Sequence, residues 1–202
     1  MAESPVAETR RSKAKSDRRT QLVAAAERLI AEHGYLAVRL EDIGAAAGVT
    51  GPAIYRHFPN KEALLVELLV GISTRLLAGA TDVVAESAAP EAALDLLVDF
   101  HLDFVFTEPD LIRIQDRDLA HLPAAAKRQV RRAQRQYVEK WVEVLRLLSP
   151  DLAEGDARLM AHAAFGLLNS TPYSVRPGAA RDSSRAVLRA MTLAALASAR
   201  TD

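Results

Sequence analysis

Cysteine is absent from this 202-residue chain, tryptophan occurs once, and aromatic residues make up only 5% of it. Without cysteine there is no disulfide framework, thiolate zinc site, iron–sulfur cluster or cysteine nucleophile. Net charge is lacking too, because 26 basic side chains balance 26 acidic ones. No apolar run approaches the roughly 20 residues that span a bilayer, and the first twenty residues are too polar for a secretory leader. The expected protein is therefore soluble and cytoplasmic, with no membrane partner. Scarce aromatics beside abundant Ala and Leu favour helices, since small or unbranched side chains lose little rotamer freedom there. The expected fold class is all-α, with room for one substantial core or for a small module fused to a larger one.

The zero net charge conceals a polarity along the chain. Residues 1–61 hold ten Lys and Arg against seven Asp and Glu, and the remainder carries the compensating acidic excess. Most of the basic excess lies between Arg10 and Arg19, which includes Arg11, Lys13, Lys15 and Arg18 but no aliphatic side chain larger than Ala. Such a segment buries too little apolar surface to order itself, so residues 1–16 are expected to form a flexible basic arm. A solvated tail and an arm that meets an anionic partner are both open readings.

Punctuation and periodicity predict nine helices. Asp17 is placed to cap the first, whose Leu22, Ala25, Ala26, Leu29 and Ile30 form one stripe ending at Gly34. A short helix over about Leu40–Ala47 ends at Gly48. Thr50 is placed to cap a third over Gly51–His57, with Pro52 tolerated in its unbonded first turn. Asn60 caps a long fourth helix from Lys61 to about Ala80. The rest are expected between Pro90 and Pro109, over Asp110–Leu119, from Pro123 to Leu148, over Gly155–Asn169 and over Arg181–Ala199.

The run Leu40–Phe58 is the most informative local pattern. Two short helices joined by a Gly turn can hold the second outward as a probe, and a B-form major groove admits it. Thr50, Tyr55, Arg56, His57 and Lys61 supply donors or charge for phosphates, while Gly51 and Ala53 keep the backbone slim near bases. An ordinary α-hairpin within a helical domain has the same spacing.

Residues Thr20–Leu65 also carry a family resemblance. Glu32-His33-Gly34-Tyr35, Asp42-Ile43, Ala47-Gly48-Val49-Thr50, Ile54-Tyr55-Arg56-His57-Phe58 and Lys61-Glu62-Ala63-Leu64-Leu65 resemble the DNA-binding domain of TetR-type bacterial transcriptional regulators. That resemblance implies a helix-turn-helix domain over residues 17–62 and a helical effector-binding and dimerisation domain over 63–202. It implies a homodimeric repressor on a near-palindromic DNA operator, released by a small effector. It makes Gly51–His57 the recognition helix, with Thr50, Gly51, Pro52, Ala53 and Arg56 at the DNA, Tyr55 and His57 on its backbone, and Lys61 on a phosphate. The family's hydroxyl residues before the second helix are replaced here by Val38-Arg39, so Arg39 is expected to reach the phosphate instead. Beside such a domain the basic arm, through Arg18 and Arg19, is expected to lie along phosphates or in the minor groove.

Beyond residue 80, polar groups interrupt apolar faces. His101, Phe104, Arg113, His121, Tyr137, Trp141, His162 and Asn169 are the candidate lining of an amphiphilic pocket. Taken singly, each also reads as a satisfied core or rim residue. Lys127, Arg128, Arg131, Arg132 and Arg135 share one face of the seventh predicted helix, read either as solvated or as an anion clamp at the pocket mouth. Leu111-Ile112-Arg113 and Phe165-Gly166-Leu167-Leu168-Asn169-Ser170-Thr171-Pro172 look like segments of actinobacterial TetR-type regulators of lipid or sterol breakdown. Some of those sense acyl-CoA thioesters, which makes a small hydrophobic or amphiphilic effector of that kind the expected ligand. The resembled family also implies a dimer interface through Ala161, Phe165, Leu168, Val187, Met191 and Ala194.

No two histidines stand at i, i+3 or i+4 spacing, so no metal site is expected, and no cofactor. A helical enzyme using His101, His121 or His162 lacks a nucleophile–base motif, a phosphate loop or an HExxH signature. The expectation is a ligand-responsive DNA-binding regulator, not an enzyme. A constitutive DNA-binding protein without effector is the alternative.

Overall fold

A computed structural model describes residues 10–175 and 180–197. Among these residues it contains ten α-helices, one short 3-10 turn and no strand. They are α1 (Arg10–His33), α2 (Leu40–Ala46), α3 (Gly51–Ile54), α4 (Lys61–Glu86), α5 (Pro90–Thr107), α6 (Pro109–Asp118), the 3-10 turn Leu119–His121, α7 (Ala124–Leu148), α8 (Glu154–Asn169), α9 (Thr171–Ser174) and α10 (Arg181–Ala197).

Local chemistry explains the boundaries. Gly34 (φ 88°) and Gly48 (φ 67°) adopt left-handed backbone that stops α1 and turns the chain after α2. The Asn60 side chain accepts from the Ala63 amide at 2.7 Å and starts α4. Prolines sit in the first turns of α3, α5, α6 and α9, where a missing N–H costs nothing.

Three expectations are corrected here. Asp17 caps nothing: α1 begins at Arg10, so residues 10–16 are helical rather than a flexible arm. The extension is anchored downstream, where Arg18 donates to the Ala47 carbonyl at 3.1 Å and Arg19 to Glu67 at 3.0 Å. Residues 1–9 of the expected arm and the end of the last helix at 198–199 lie outside the described residues. The Thr50 hydroxyl makes no capping bond, and α3 is regular only to Ile54. The turn continues through His57 N–H to Ile54 O (2.8 Å) and Phe58 N–H to Ile54 O (2.9 Å). Finally, α4 runs to Glu86 and, by length and composition alone, is apolar enough to cross a bilayer. Leu64, Leu65, Leu68, Leu69, Ile72 and Ala80 are instead buried as it packs on α7 and α5.

The buried side chains form two clusters that α4 and α7 thread together. The first joins α1, α2 and α3 to the first half of α4 through Leu22, Ile30, Ile43, Ile54 and Phe58, and includes Ile114, Leu122 and Val130 from the body. The second centres on Trp141, Leu97, Leu102 and Leu168. Helices α4 and α5 approach closely at Gly79, where an added Cβ would run into the Phe100 ring. Helix α10 is tied to α5 by Arg185 to Asp103 (2.7 Å) and Asp99 (3.2 Å), and by Arg189 to Asp99 (3.1 Å) and Asp95 (3.3 Å).

Candidate nucleic-acid interface and effector cavity

The α2–α3 unit is seated from inside and bare outside. Ile43, Ile54 and Phe58 are buried, while Pro52, Tyr55 and Arg56 are exposed and Gly51, Ala53 and His57 are half-buried. Close packing of α2 on α3 requires Gly44, whose added Cβ would meet the Val49 carbonyl oxygen at 3.2 Å. Arg39 starts α2 with its amide donating to Asp42 Oδ2 at 3.0 Å, and its side chain is exposed.

Positive charge gathers on this face. The His57 imidazole is held below its ordinary pKa, first by burial and then by Lys15, Arg19, Arg18 and Arg56. An anion placed there meets several cations at once. Tyr55 donates its phenolic proton to Glu41, a bond that holds the Glu41 carboxyl below the usual range.

Two expected phosphate ligands are engaged elsewhere. Lys61 Nζ donates to the carbonyls of Tyr35 (2.6 Å) and Val38 (2.7 Å) and lies 4.4 Å from the Tyr35 ring centroid. Its ammonium thereby closes the turn between α1 and α2. Arg19 bridges Glu67 and the His57 carbonyl (2.6 Å) and stacks 4.1 Å over Phe58, so it clamps α1 to α4 and the α3 turn.

In the body, a cavity of about 260 Å³ is lined by His101 and Phe104 from α5, Tyr137 from α7, and His162, Phe165 and Asn169 from α8. His101 Nδ1 lies 2.9 Å from Tyr137 Oη, and its Nε2 lies 2.9 Å from Asn169 Oδ1. Since an amide oxygen only accepts, Nε2 carries the proton and Nδ1 accepts from the phenol. Burial favours the uncharged forms of both groups, pushing the imidazole down to about 4 and the phenol well above its usual range. Sequence reasoning missed Ser73, Leu76, Ile112, Gln115, Gln134 and Val138 in this lining. They sit on helix faces also used for packing, so spacing carried no signal for them.

The remaining pocket and interface expectations are redistributed. Trp141 is fully buried behind the cavity, edge-on to Phe165. Arg113 pairs with Asp110 (2.7 Å) and donates to the Pro172 carbonyl (2.7 Å), and His121 stacks on Tyr35. Neither lines the cavity. Phe165 does line it, while Ala161 and Leu168 are buried within their own chain. Val187 (54% exposed), Met191 (50%) and Leu159 (67%) do stand outward, with Ala163, Gly166 and Ala194 beside them.

Along α7, Arg128, Arg131, Arg132 and Arg135 are exposed and have no ion-pair partner among the described residues. Other arginines, including Arg19, Arg75, Arg113, Arg117, Arg158, Arg185 and Arg189, are paired with carboxylates. Arg131 stands one turn before the cavity-lining Gln134 on α7, and neither Arg131 nor Arg135 lines the cavity. A second cavity, about 400 Å³, lies between α1, α4 and the α5–α6 corner, with Glu27, Glu67, Glu108, Arg19 and Arg75 in its wall.

Residues 22–68 match the family model described as bacterial regulatory proteins of the tetR family, and residues 87–178 match a tetracyclin repressor-like C-terminal domain. The chain is 35% identical over 167 residues to the HTH-type transcriptional regulator CymR of Pseudomonas putida, covering 78% of this chain and 82% of that one. It is 33% identical over 110 residues to the HTH-type transcriptional repressor KstR2 of Rhodococcus jostii, an alignment that spans 54% of either chain. Among solved structures, AibR in complex with isovaleryl coenzyme A and operator DNA superposes with a TM-score of 0.73 at 20% identity, covering 86% of this chain and 97% of that one. FadR from Bacillus subtilis in complex with stearoyl-CoA superposes with a TM-score of 0.64 at 23% identity, covering 88% and 95%.

Proposed function

We propose, from the premise that the chain belongs to the TetR family of bacterial regulatory proteins, that it binds a two-fold DNA operator as a homodimer and leaves it when an amphiphilic effector fills the α5–α7–α8 cavity. The family's members are DNA-binding transcriptional regulators. Residues 17–62 would form the DNA-binding domain and 63–202 the effector and dimer domain.

The observation that carries the DNA reading is the α3 head. Pro52, Tyr55 and Arg56 face outward from a seat of Ile43, Ile54 and Phe58, within a field set by Lys15, Arg18, Arg19 and Arg56. Thr50, Gly51, Pro52 and Ala53 approach base edges, while Tyr55, Arg56, His57, Arg39 and Arg18 meet phosphates. For the dimer, Leu159 and Ala163 of α8 and Val187, Met191 and Ala194 of α10 form an exposed apolar face whose small residues permit close helix approach. Two chains joined there present two heads about 34 Å apart or a multiple of that spacing, as successive major grooves require.

The effector is an acyl-CoA thioester, with its acyl group in the cavity and its phosphates on Arg131 and Arg135. Support comes from the apolar interior beside unpaired arginines and from the two CoA thioesters in the AibR and FadR complexes. An effector that weakens DNA binding must itself bind less tightly to the DNA-bound protein.

Selection of operators from random DNA by the purified protein, followed by salt titration, tests the DNA reading. A two-fold consensus is expected, with Arg39→Ala lowering the slope of log K against log salt by about one. An asymmetric or absent consensus overturns the operator reading, and an unchanged slope removes Arg39 from the phosphate.

A further inference from the structure

No charged side chain faces the α5–α7–α8 cavity: its lining contains no Asp, Glu, Lys or Arg. Its polar groups divide into those already bonded and those left open. Ser73 Oγ donates to the Leu69 carbonyl at 2.8 Å, and His101 bonds Tyr137 and Asn169 through its two nitrogens. The carboxamides of Gln115 on α6 and Gln134 on α7 are half-buried in the wall and have no hydrogen-bond partner among the described residues. A carboxamide turned toward a cavity offers two N–H donors and a carbonyl acceptor, the complement of a neutral carbonyl compound.

Charge and size then bound what enters. An ionised carboxylate would lose its hydration here with no cation to replace it, a far larger cost than burying a neutral carbonyl that is hydrogen-bonded. The His101 imidazole supplies no positive charge, since both its nitrogens are occupied and burial keeps it neutral, and the second lining imidazole, His162, is on an exposed residue at the cavity's edge. At about 30 Å³ for a water-sized group, 260 Å³ holds about nine such groups. Phe104 and Phe165 form part of its wall.

Resting on the effector reading above, we infer that the buried part of the effector is a compact, uncharged acyl or aryl carbonyl group of about nine non-hydrogen atoms, with its oxygen held by the Gln115 and Gln134 side-chain N–H groups. Short branched acyl and benzoyl groups fit; a stearoyl chain, at roughly twice that size, does not. Gln115 also stands two residues before Arg117, whose guanidinium holds the Ile30 and Ala31 carbonyls of α1.

Calorimetry on the full chain with isovaleryl-CoA, benzoyl-CoA and stearoyl-CoA, and with the isosteric pair benzamide and benzoate, tests this. The two compact thioesters are expected to bind at least tenfold more tightly than stearoyl-CoA, and benzamide to bind where benzoate at the same concentration does not. Gln115→Leu and Gln134→Leu should each weaken benzamide about tenfold while leaving the melting temperature and operator binding in place. Stearoyl-CoA binding as tightly as benzoyl-CoA overturns the size limit while upholding the thioester reading. Benzoate matching benzamide overturns the charge rule, and benzamide affinity unchanged in both variants overturns the glutamine assignment. Benzamide binding with every thioester silent upholds the compact neutral ligand and removes the thioester. Silence from all five compounds overturns both.

Discussion

The imidazole ring of His121 stacks on the phenol ring of Tyr35, with centroids 5.1 Å apart and planes inclined by 28°. Tyr35 follows α1 in the DNA-binding unit, and His121 closes the 3-10 turn that leads into α7. The Asp118 carboxylate accepts from the Tyr35 amide at 3.4 Å, and Arg117 Nη1 donates to the Ala31 carbonyl at 3.3 Å. This junction between the two buried clusters is therefore made of directional contacts as well as apolar packing.

If the stack contributes as aromatic pairs usually do, His121→Ala lowers stability by about 1 kcal/mol. A double-mutant cycle with Tyr35→Leu should then show a coupling of about 0.5 to 1.5 kcal/mol in urea unfolding. Additive effects would show that the rings merely lie near each other.

Lys61→Met should act on folding rather than on DNA. Removing the ammonium leaves the Tyr35 and Val38 carbonyls without their donor, a loss of about 1 to 3 kcal/mol read as a lower denaturation midpoint. The salt slope of operator binding should stay that of the parent. A slope lower by about one would restore Lys61 to a phosphate.

His101 makes the fold sensitive to acid. Its folded pKa of about 4 lies below the ordinary 6.5, so the unfolded chain binds more protons between these values and stability falls as pH drops through that window. The full loss is on the order of 3 kcal/mol. Urea midpoints of the parent should decline from pH 7 to pH 4 more steeply than those of His101→Gln. Parallel curves would mean that the ring titrates in the folded state as it does in water.

Glu27 acts in the opposite sense. Burial first, then Glu108 and Asp110, push its carboxyl up to about 7, against the pull of Arg75. The folded state thus holds a proton that the unfolded state has released, and the associated stability, present below pH 4.5, is lost as pH rises through 7. Because Glu27 is only half-buried, solvent screening reduces the effect to about 1 kcal/mol. Glu27→Gln should raise the melting temperature at pH 8 and leave it nearly unchanged at pH 4; an equal gain at both would point to packing instead.

Gly79→Ala should destabilise the body, since the new methyl group runs into the Phe100 ring. Overpacking of this kind costs about 1 to 3 kcal/mol, and Phe100→Leu in the same chain should recover part of it. A more stable Gly79→Ala protein would show that the α4–α5 contact yields freely.

Helix positions were legible wherever chemistry is local. Gly34, Gly48, Asn60, Pro90 and Pro109 mark ends or starts that depend on the backbone at those residues and little else. Where a boundary depends on distant partners, reading failed. Asp17 looked like a cap because the sequence does not show Arg18 and Arg19 reaching Ala47, Glu67 and His57. Likewise α9 follows Asn169 with only Thr171-Pro172 to announce it.

The sequence by itself determined the all-α class, the two short helices joined at the Gly48 turn, and the polar set His101, Tyr137, His162 and Asn169, because helical period and turn chemistry are written within a few residues. Only the tertiary structure decided which polar groups meet. It joined His101 to Asn169 across 68 residues, sent His121 to Tyr35 and Lys61 to the α1–α2 turn, and drew Phe165 from the expected interface into the cavity wall. The reason is geometric: one helix face serves core, cavity and partner alike, and the crossing of α5, α7 and α8 selects among them.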